Sequence, residues 1–425
     1  MIRKYLSSVA LAAITIATPA IAETVAISGG TVWTGTQEDV IENGVVIIVD
    51  DKVVAVGDAR LSVPSNATVI DASGGWVTPG IFSPFTRTGL VEVGAEAATN
   101  DTAAAESEYS AALNAADSFN PSATSVAVTR IGGVTRMAVA PSNGSSIFAG
   151  RGFVADTTGE ANSILSEDVF QFLVLGERAS ELSGGSRSAA WAKLRAALDD
   201  AQNYTTRYIT SVDGAALNRV DAEALVPTIR GQRLLMVEVH RASDIRRLIE
   251  FLDDYPALDV ALVGATEGWL VADELAAAEI PVIIDPYDNL PASFERLGAT
   301  SHNAERLIDA GVVTAFAYFG FDAHQAHLSL QSAGNAVANG VSQADALKAV
   351  TSAPADIFGF ANLGRLASGA NGDVVVWDGN PLEVTSAPTH VLIDGIEQSL
   401  ESRQTELRDR YISLEQDDLP LAYRK

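Results

Sequence analysis

Hydrophobic residues in this chain follow two rhythms. At residues 24–27, 31–33, 45–49, 53–56 and 69–71 they form short β-type runs, broken by Gly29-Gly30 and by Asp50-Asp51-Lys52. That tripeptide between two valine-rich runs predicts a hairpin. Strands this short and this few bury no core alone. The same rhythm returns at the far end, where 374–376 is all valine and 390–393 alternates into Asp394-Gly395. The simplest assembly is one discontinuous β-sandwich built from 23–77 and 363–400. A polar helix is expected over 401–414, with Leu407, Tyr411 and Leu414 on one face.

Between the two β segments the rhythm alternates. After residue 230 an apolar strand (234–240) precedes a helix with Ser243 as expected N-cap and Ile245, Leu248, Ile249 and Leu252 at helical spacing. The alternation continues as strand 258–263, helix 269–278, strand 281–285, helix 303–310 before Gly311, strand 312–318 and helix 325–339 before Gly340. Ser342, with Asp345 three residues on, opens a last helix through Val350. Repeated strand-then-helix units with short links imply parallel strands and right-handed crossovers. Upstream, a helix (122–131) stops at Gly132-Gly133, a strand covers 135–140, and a helix (188–199) places Trp191, Leu194, Leu198 and Ala201 on one face. Asn143-Gly144-Ser145-Ser146 and Gly150-Arg151-Gly152 read as turns, neither in the context of a phosphate loop. Residues 90–122 read as a long loop, either a lid or binding element or a solvated insertion. The whole is α/β: a (β/α)8 TIM-like barrel over 78–362 plus the discontinuous sandwich. The alternative, a doubly wound sheet, lacks its nucleotide fingerprint.

Composition narrows the function. With 425 residues and 47% hydrophobic content, the chain can bury a large core. There is no cysteine, which excludes disulfides, thiolate catalysis and a cysteine-built zinc site. Residues 1–22 have a basic start (Arg3, Lys4), a short apolar centre and Ala20-Ile21-Ala22 before Glu23, the pattern of a cleaved signal peptide. A periplasmic or secreted protein is expected. Losing Arg3 and Lys4 takes the formal charge from −26 to −28, which repels nucleic acid and anionic membranes.

Trp76-Val77-Thr78-Pro79-Gly80 followed by an apolar strand resembles the start of the barrel in the amidohydrolase superfamily. Ala346-Leu347-Lys348-Ala349-Val350-Thr351 with Pro354-Ala355, then Leu363-Gly364-Arg365-Leu366 and Gly372-Asp373-Val374-Val375-Val376-Trp377, resemble the barrel's last helix and the return to the sandwich. The chain is most similar to the imidazolonepropionase-like group. The resemblance implies hydrolysis of non-peptide, amide-type C–N bonds in a small molecule. One or two divalent ions, zinc among them, would activate water, and an Asp on strand eight would take its proton. The implied ligands are two histidines on strand one, one each on strands five and six, a bridging Lys or Glu on strand four, and that Asp.

Residue by residue, the match is poor. Strand one should end Asp-x-His-x-His, and it reads Ser83-Pro84-Phe85-Thr86-Arg87. Phenylalanine cannot ligate and arginine repels a cation. Arg87 is instead a candidate for binding a substrate carboxylate, or an ion-pair partner for the acidic loop after it. His240 matches the strand-five histidine, as ligand, acid/base, substrate contact or plain core residue. Glu238 points the same way and makes it an acid/base pair. Strand six offers no histidine near Val263-Gly264-Ala265, and Glu267 follows as a loop carboxylate. Asp285 at the end of strand seven is a candidate substrate contact. Asp322 is the candidate catalytic Asp, and with His240, His324 and His327 it completes the further metal candidates. His302 and His390 read as structural. No cofactor follows from the residues themselves. Three functions remain open: an exported amidohydrolase with altered or lost activity; a non-catalytic binding module or partner subunit, as a homo-oligomer or beside an active homologue; or metal-free acid/base chemistry by Glu238 and His240.

Overall fold

The computed structural model describes residues 23–36, 40–210, 215–320 and 325–412. The signal-peptide expectation, Asp322, His324 and Leu414 lie outside these. In chain order the strands are β1 (Thr24–Val32), β2 (Ile41–Val49), β3 (Lys52–Gly57), β4 (Thr68–Asp71), β5 (Trp76–Pro79), β6 (Ile81–Thr86), β7 (Val134–Val139), β8 (Phe148–Asp156), β9 (Ile164–Val174), β10 (Leu234–Val239), β11 (Val260–Gly264), β12 (Val282–Ile284), β13 (Thr314–Phe316), β14 (Val374–Trp377), β15 (Pro388–Ile393) and β16 (Ile396–Glu397).

They form two sheets. The first runs β16-β15-β14-β5-β1-β2-β3 with β4 also on β1, so both ends of the chain supply it. The expected hairpin joins β2 to β3, with Asp50 at φ 54°. Gly29-Gly30 does not break β1. Gly29, at φ 91°, lies where the register with β2 shifts. The valine run of β14 is buried on both sides because its two faces meet different cores. Val374 and Val376 join Ile27, Ile48 and Val77, while Val375 and Trp377 join the barrel core.

The second sheet runs β13-β12-β11-β10-β9-β8-β7-β6, and β6 and β13 lie side by side, so the barrel is nearly closed. Strands β10 to β13 are parallel, as the alternation implied, and β9, which the sequence reading missed, pairs parallel to β10. One strand departs from the simple (β/α)8 pattern: β8 is antiparallel to both β7 and β9. Gly150-Arg151-Gly152 therefore lies inside a strand and is no turn. Its glycines serve close approach, since a Cβ at Gly152 would strike the Phe170 ring and one at Gly150 the Leu113 backbone.

The links around β8 carry no helix. The long 90–122 segment does that covering work. Leu90 and Ala115, with Ala123 and Val126 of the following helix, pack on the outer faces of Met137, Val139, Phe153 and Ala155. Asp221 holds the segment in place, accepting from the backbone N–H of Ser110 (2.9 Å) and Ala112 (2.8 Å). Between the sheets, Arg136 is almost wholly buried. It donates to Asp373 at 2.6 and 2.8 Å and meets Asp394 at 2.7 Å. The helix Arg403–Ile412 buries no side chain, and Leu407 and Tyr411 stay exposed. No helix among the described residues is long and apolar enough to cross a membrane.

Candidate functional site

The C-terminal ends of β10, β11 and β12 open on one face, where barrels of this class place their chemistry. His240 follows β10 directly and is buried. Its imidazole occupies space that strand six leaves open: Gly264, at φ 90°, ends β11, and a Cβ there would strike the ring. The sequence position that lacks a histidine is thus filled by the neighbouring strand's histidine.

Three groups surround the ring. His240 Nδ1 is 2.9 Å from Thr266 Oγ1. Nε2 is 2.8 Å from a guanidinium nitrogen of Arg296 and 3.4 Å from Glu238 Oε1. A guanidinium only donates. The geometry therefore assigns Nε2 as acceptor from Arg296 and puts the ring proton on Nδ1, donating to Thr266. Glu238 is then an electrostatic neighbour, with a third of its side chain exposed to the mouth. Burial acts to raise the Glu238 pKa, but the positive charge around it, Arg87 and Arg296 included, holds the carboxyl below the usual glutamate range.

Arg296 belongs to a short turn, Phe294–Arg296, in the link after β12. It is fixed from the other side by Asp288 at 2.8 Å. Its neighbours pin the link. Glu295 is buried, accepts from the Glu177 N–H at 2.6 Å and meets Arg187 at 3.4 Å. Glu267 accepts from the Gly298 N–H at 2.9 Å and from the Ala242 N–H at 3.0 Å. The second bond corrects two expectations. The helix after β10 is Ala242–Leu252, so Ser243 lies inside it, and its first turn is satisfied by Glu267. Glu267 is accordingly buried, because a carboxylate beside exposed helix N–H groups is stabilised there.

On strand one, Phe85 points inward. Its ring meets Phe172 of β9 at 5.3 Å and Phe319 at 5.4 Å, edge to face, and the Arg87 guanidinium lies 5.3 Å from its centroid. β6 and β9 are not neighbours in the sheet, so the Phe85–Phe172 contact crosses the barrel interior. The Phe85 ring, backed by Phe172 and Phe319, lies beneath the Arg87 guanidinium.

The other sequence candidates scatter. Asp285 is buried and tied inward, accepting from Tyr287 N–H (3.0 Å), Phe319 N–H (3.0 Å) and Ser332 Oγ (2.9 Å). Burial, with Asp288 adding to it, raises its pKa against those bonds. These contacts join the ends of β12 and β13 and give Asp285 a tethering position. His327 lies in the turn Ala326–Leu328 against Gly132, at the end of the barrel where β7 begins. That is opposite the mouth, so His327 does not gather with His240. His302 and His390 sit on the surface with Glu305 (2.9 Å) and Glu397 (2.6 Å). Among the described residues no three His, Cys, Asp or Glu gather in a way that could hold a metal ion. Among the described residues the donor set does not fit the divalent centre that the family resemblance implies: one histidine at the mouth, its Nε2 lone pair engaged by a cation.

Sequence reasoning placed Glu238 and His240 together but missed Arg296 and Thr266. No local signal marks Arg296, whose partner is 56 residues away along the chain.

A profile of the Amidohydrolase family matches residues 102–399. Amidohydrolase tasK of Hapsidospora irregularis is 24% identical over 399 residues, which cover 86% of this chain and 40% of that protein, so the chain spans well under half of this relative's length. Among solved structures, an amidohydrolase from Thermotoga maritima MSB8 superposes with a TM-score of 0.78 at 23% identity, covering 88% of this chain and 99% of the other. Molinate hydrolase gives 0.54 at 17% identity, with 89% and 95% covered. These likenesses carry the fold.

Proposed function

Because the chain belongs to the amidohydrolase family, we infer that it is an exported member that binds a small molecule at the barrel mouth and has lost the family's metal-dependent hydrolysis of amide-type C–N bonds. The observation that carries this reading is the engagement of His240 Nε2 by Arg296, above a strand one that presents Phe85 and Arg87. A divalent ion held in such a barrel would activate water. These residues present two guanidinium groups where it would sit, and guanidinium repels a cation at every accessible pH. The leader-like 1–22 segment supports export, and the mouth charges of Glu238, Arg87 and Arg296 suit a polar small ligand.

Purified protein should carry no stoichiometric divalent metal by elemental analysis, and no chelator-sensitive turnover across panels of amides, lactams and dipeptides. One equivalent of zinc or manganese together with chelator-sensitive turnover would defeat the reading. The closeness of Glu238 to His240 favours a second reading, metal-free acid–base chemistry, in which the ionised Glu238 takes a proton. Turnover insensitive to chelators and abolished in Glu238→Ala would favour it over simple binding.

A further inference from the structure

We propose that Arg296 is a built-in cation that excludes divalent metal from this barrel, with its guanidinium seated on the His240 lone pair that an ion would need. The proposal rests on the metal-independent reading above and gives it a cause. Three observations carry it. Metal binding by histidine needs a neutral ring with a free nitrogen lone pair. His240 has one such lone pair in its assigned tautomer, since Nδ1 faces Thr266, and Arg296 holds it at 2.8 Å. Arg296 is not a loosely placed surface side chain: Asp288 binds its other terminal nitrogen, Glu295 accepts from the Glu177 N–H at the start of a helix, and Gly298 donates to Glu267 in the link after β11. Gly264 admits the imidazole beside that guanidinium, where any larger residue would push the ring away.

The charges fit the same role. Glu238 and Asp288 bring two carboxylates toward the mouth, and Arg296 contacts Asp288 directly while acting on Glu238 through space. In the absence of an ion, carboxylates so placed need a fixed positive partner, and an arginine supplies one at every accessible pH. The link after β12 therefore does two things. It delivers the cation to His240, and it presents Tyr287, Leu290, Phe294 and Leu297 outward as an exposed apolar rim of the mouth.

Zinc titration by calorimetry of the full mature protein and of Arg296→Met tests this. Wild type should show no His240-dependent zinc site. Arg296→Met should free the lone His240 ligand and bind zinc at least about tenfold more tightly than wild type, and the Arg296→Met, His240→Phe double variant should lose that gain. If Arg296→Met does not fold, 15N NMR of the imidazole in wild type decides instead: Nε2 unprotonated and unmoved by zinc supports the proposal, and Nε2 protonated or shifted by zinc overturns it. Equal, negligible zinc binding by wild type and folded Arg296→Met also overturns the proposal, while leaving the metal-independent reading intact. Zinc-dependent turnover in wild type would overturn both.

Discussion

Glu238 shows at the residue scale how the mouth sets a protonation state. Its pKa is held low in the folded protein against burial, with the charges of Arg87 and Arg296 acting on the carboxylate. A depressed carboxyl pKa contributes stability that is fully present above the ordinary glutamate value, about 4.3, and is lost as pH falls through the lower folded value. The stability difference between wild type and Glu238→Gln should therefore be constant from about pH 7 to 5 and shrink below about pH 4, followed by urea unfolding. A difference unchanged down to pH 3 would show that the cations do not act on Glu238. Asp285 has the opposite sign. Burial raises its pKa, so its ionisation costs stability as pH rises through the ordinary aspartate range. Strand alternation in the sequence was enough to put Glu238 and His240 on one side of β10. It said nothing of Arg296, because the guanidinium reaches the ring through a link whose path depends on Glu267 and Glu295.

At the scale of elements, the informative departure is β8. Two short antiparallel links replace two crossovers, and the strands there lose the helices that would cover them. The 90–122 segment takes over that task, so it is neither a free lid nor a solvated insertion along the stretch that packs on β7 and β8. Its anchor is the Asp221 carboxylate, which also accepts from Asn218 at 2.7 Å at the start of the helix Arg219–Ile229. Asp221→Ala should leave two backbone N–H groups of the segment without an acceptor, at a cost of about 1–3 kcal/mol. Limited proteolysis should then cut within 102–112 well before global unfolding. Unchanged cleavage would mean that the apolar contacts alone hold the segment. Of the parallel half, β10 to β13 were legible because their buried strands and amphipathic helices have different periods, whereas β9 was missed. The antiparallel half was not, because Gly150 and Gly152 look like turn residues until the Phe170 ring beside them is known.

For the whole molecule, the junction of barrel and sandwich depends on one buried charge cluster. Arg136 of β7 joins Asp373 and Asp394 from the C-terminal segment, and Asp373 also accepts from the Asp394 N–H at 2.9 Å. Those two carboxylates drive the Arg136 pKa upward despite its burial. Arg136→Met would leave Asp373 buried without its cation, a loss of about 3–5 kcal/mol. Differential scanning calorimetry should show a lower midpoint whose shift is little changed by salt, since buried pairs are weakly screened. A shift that vanishes at high salt would place the pair in solvent. The sequence by itself determined the class of architecture, the sharing of one sheet between the two ends of the chain, and the absence of the strand-one histidines. Those follow from periodicity and from residue type, which are local properties. Only the tertiary structure decided that β8 runs backward, that Glu267 caps a helix, and that Arg296 stands at His240. Each of these is a contact between different elements, selected by packing space and by the need of buried charges for partners, and none is written in any one stretch of residues.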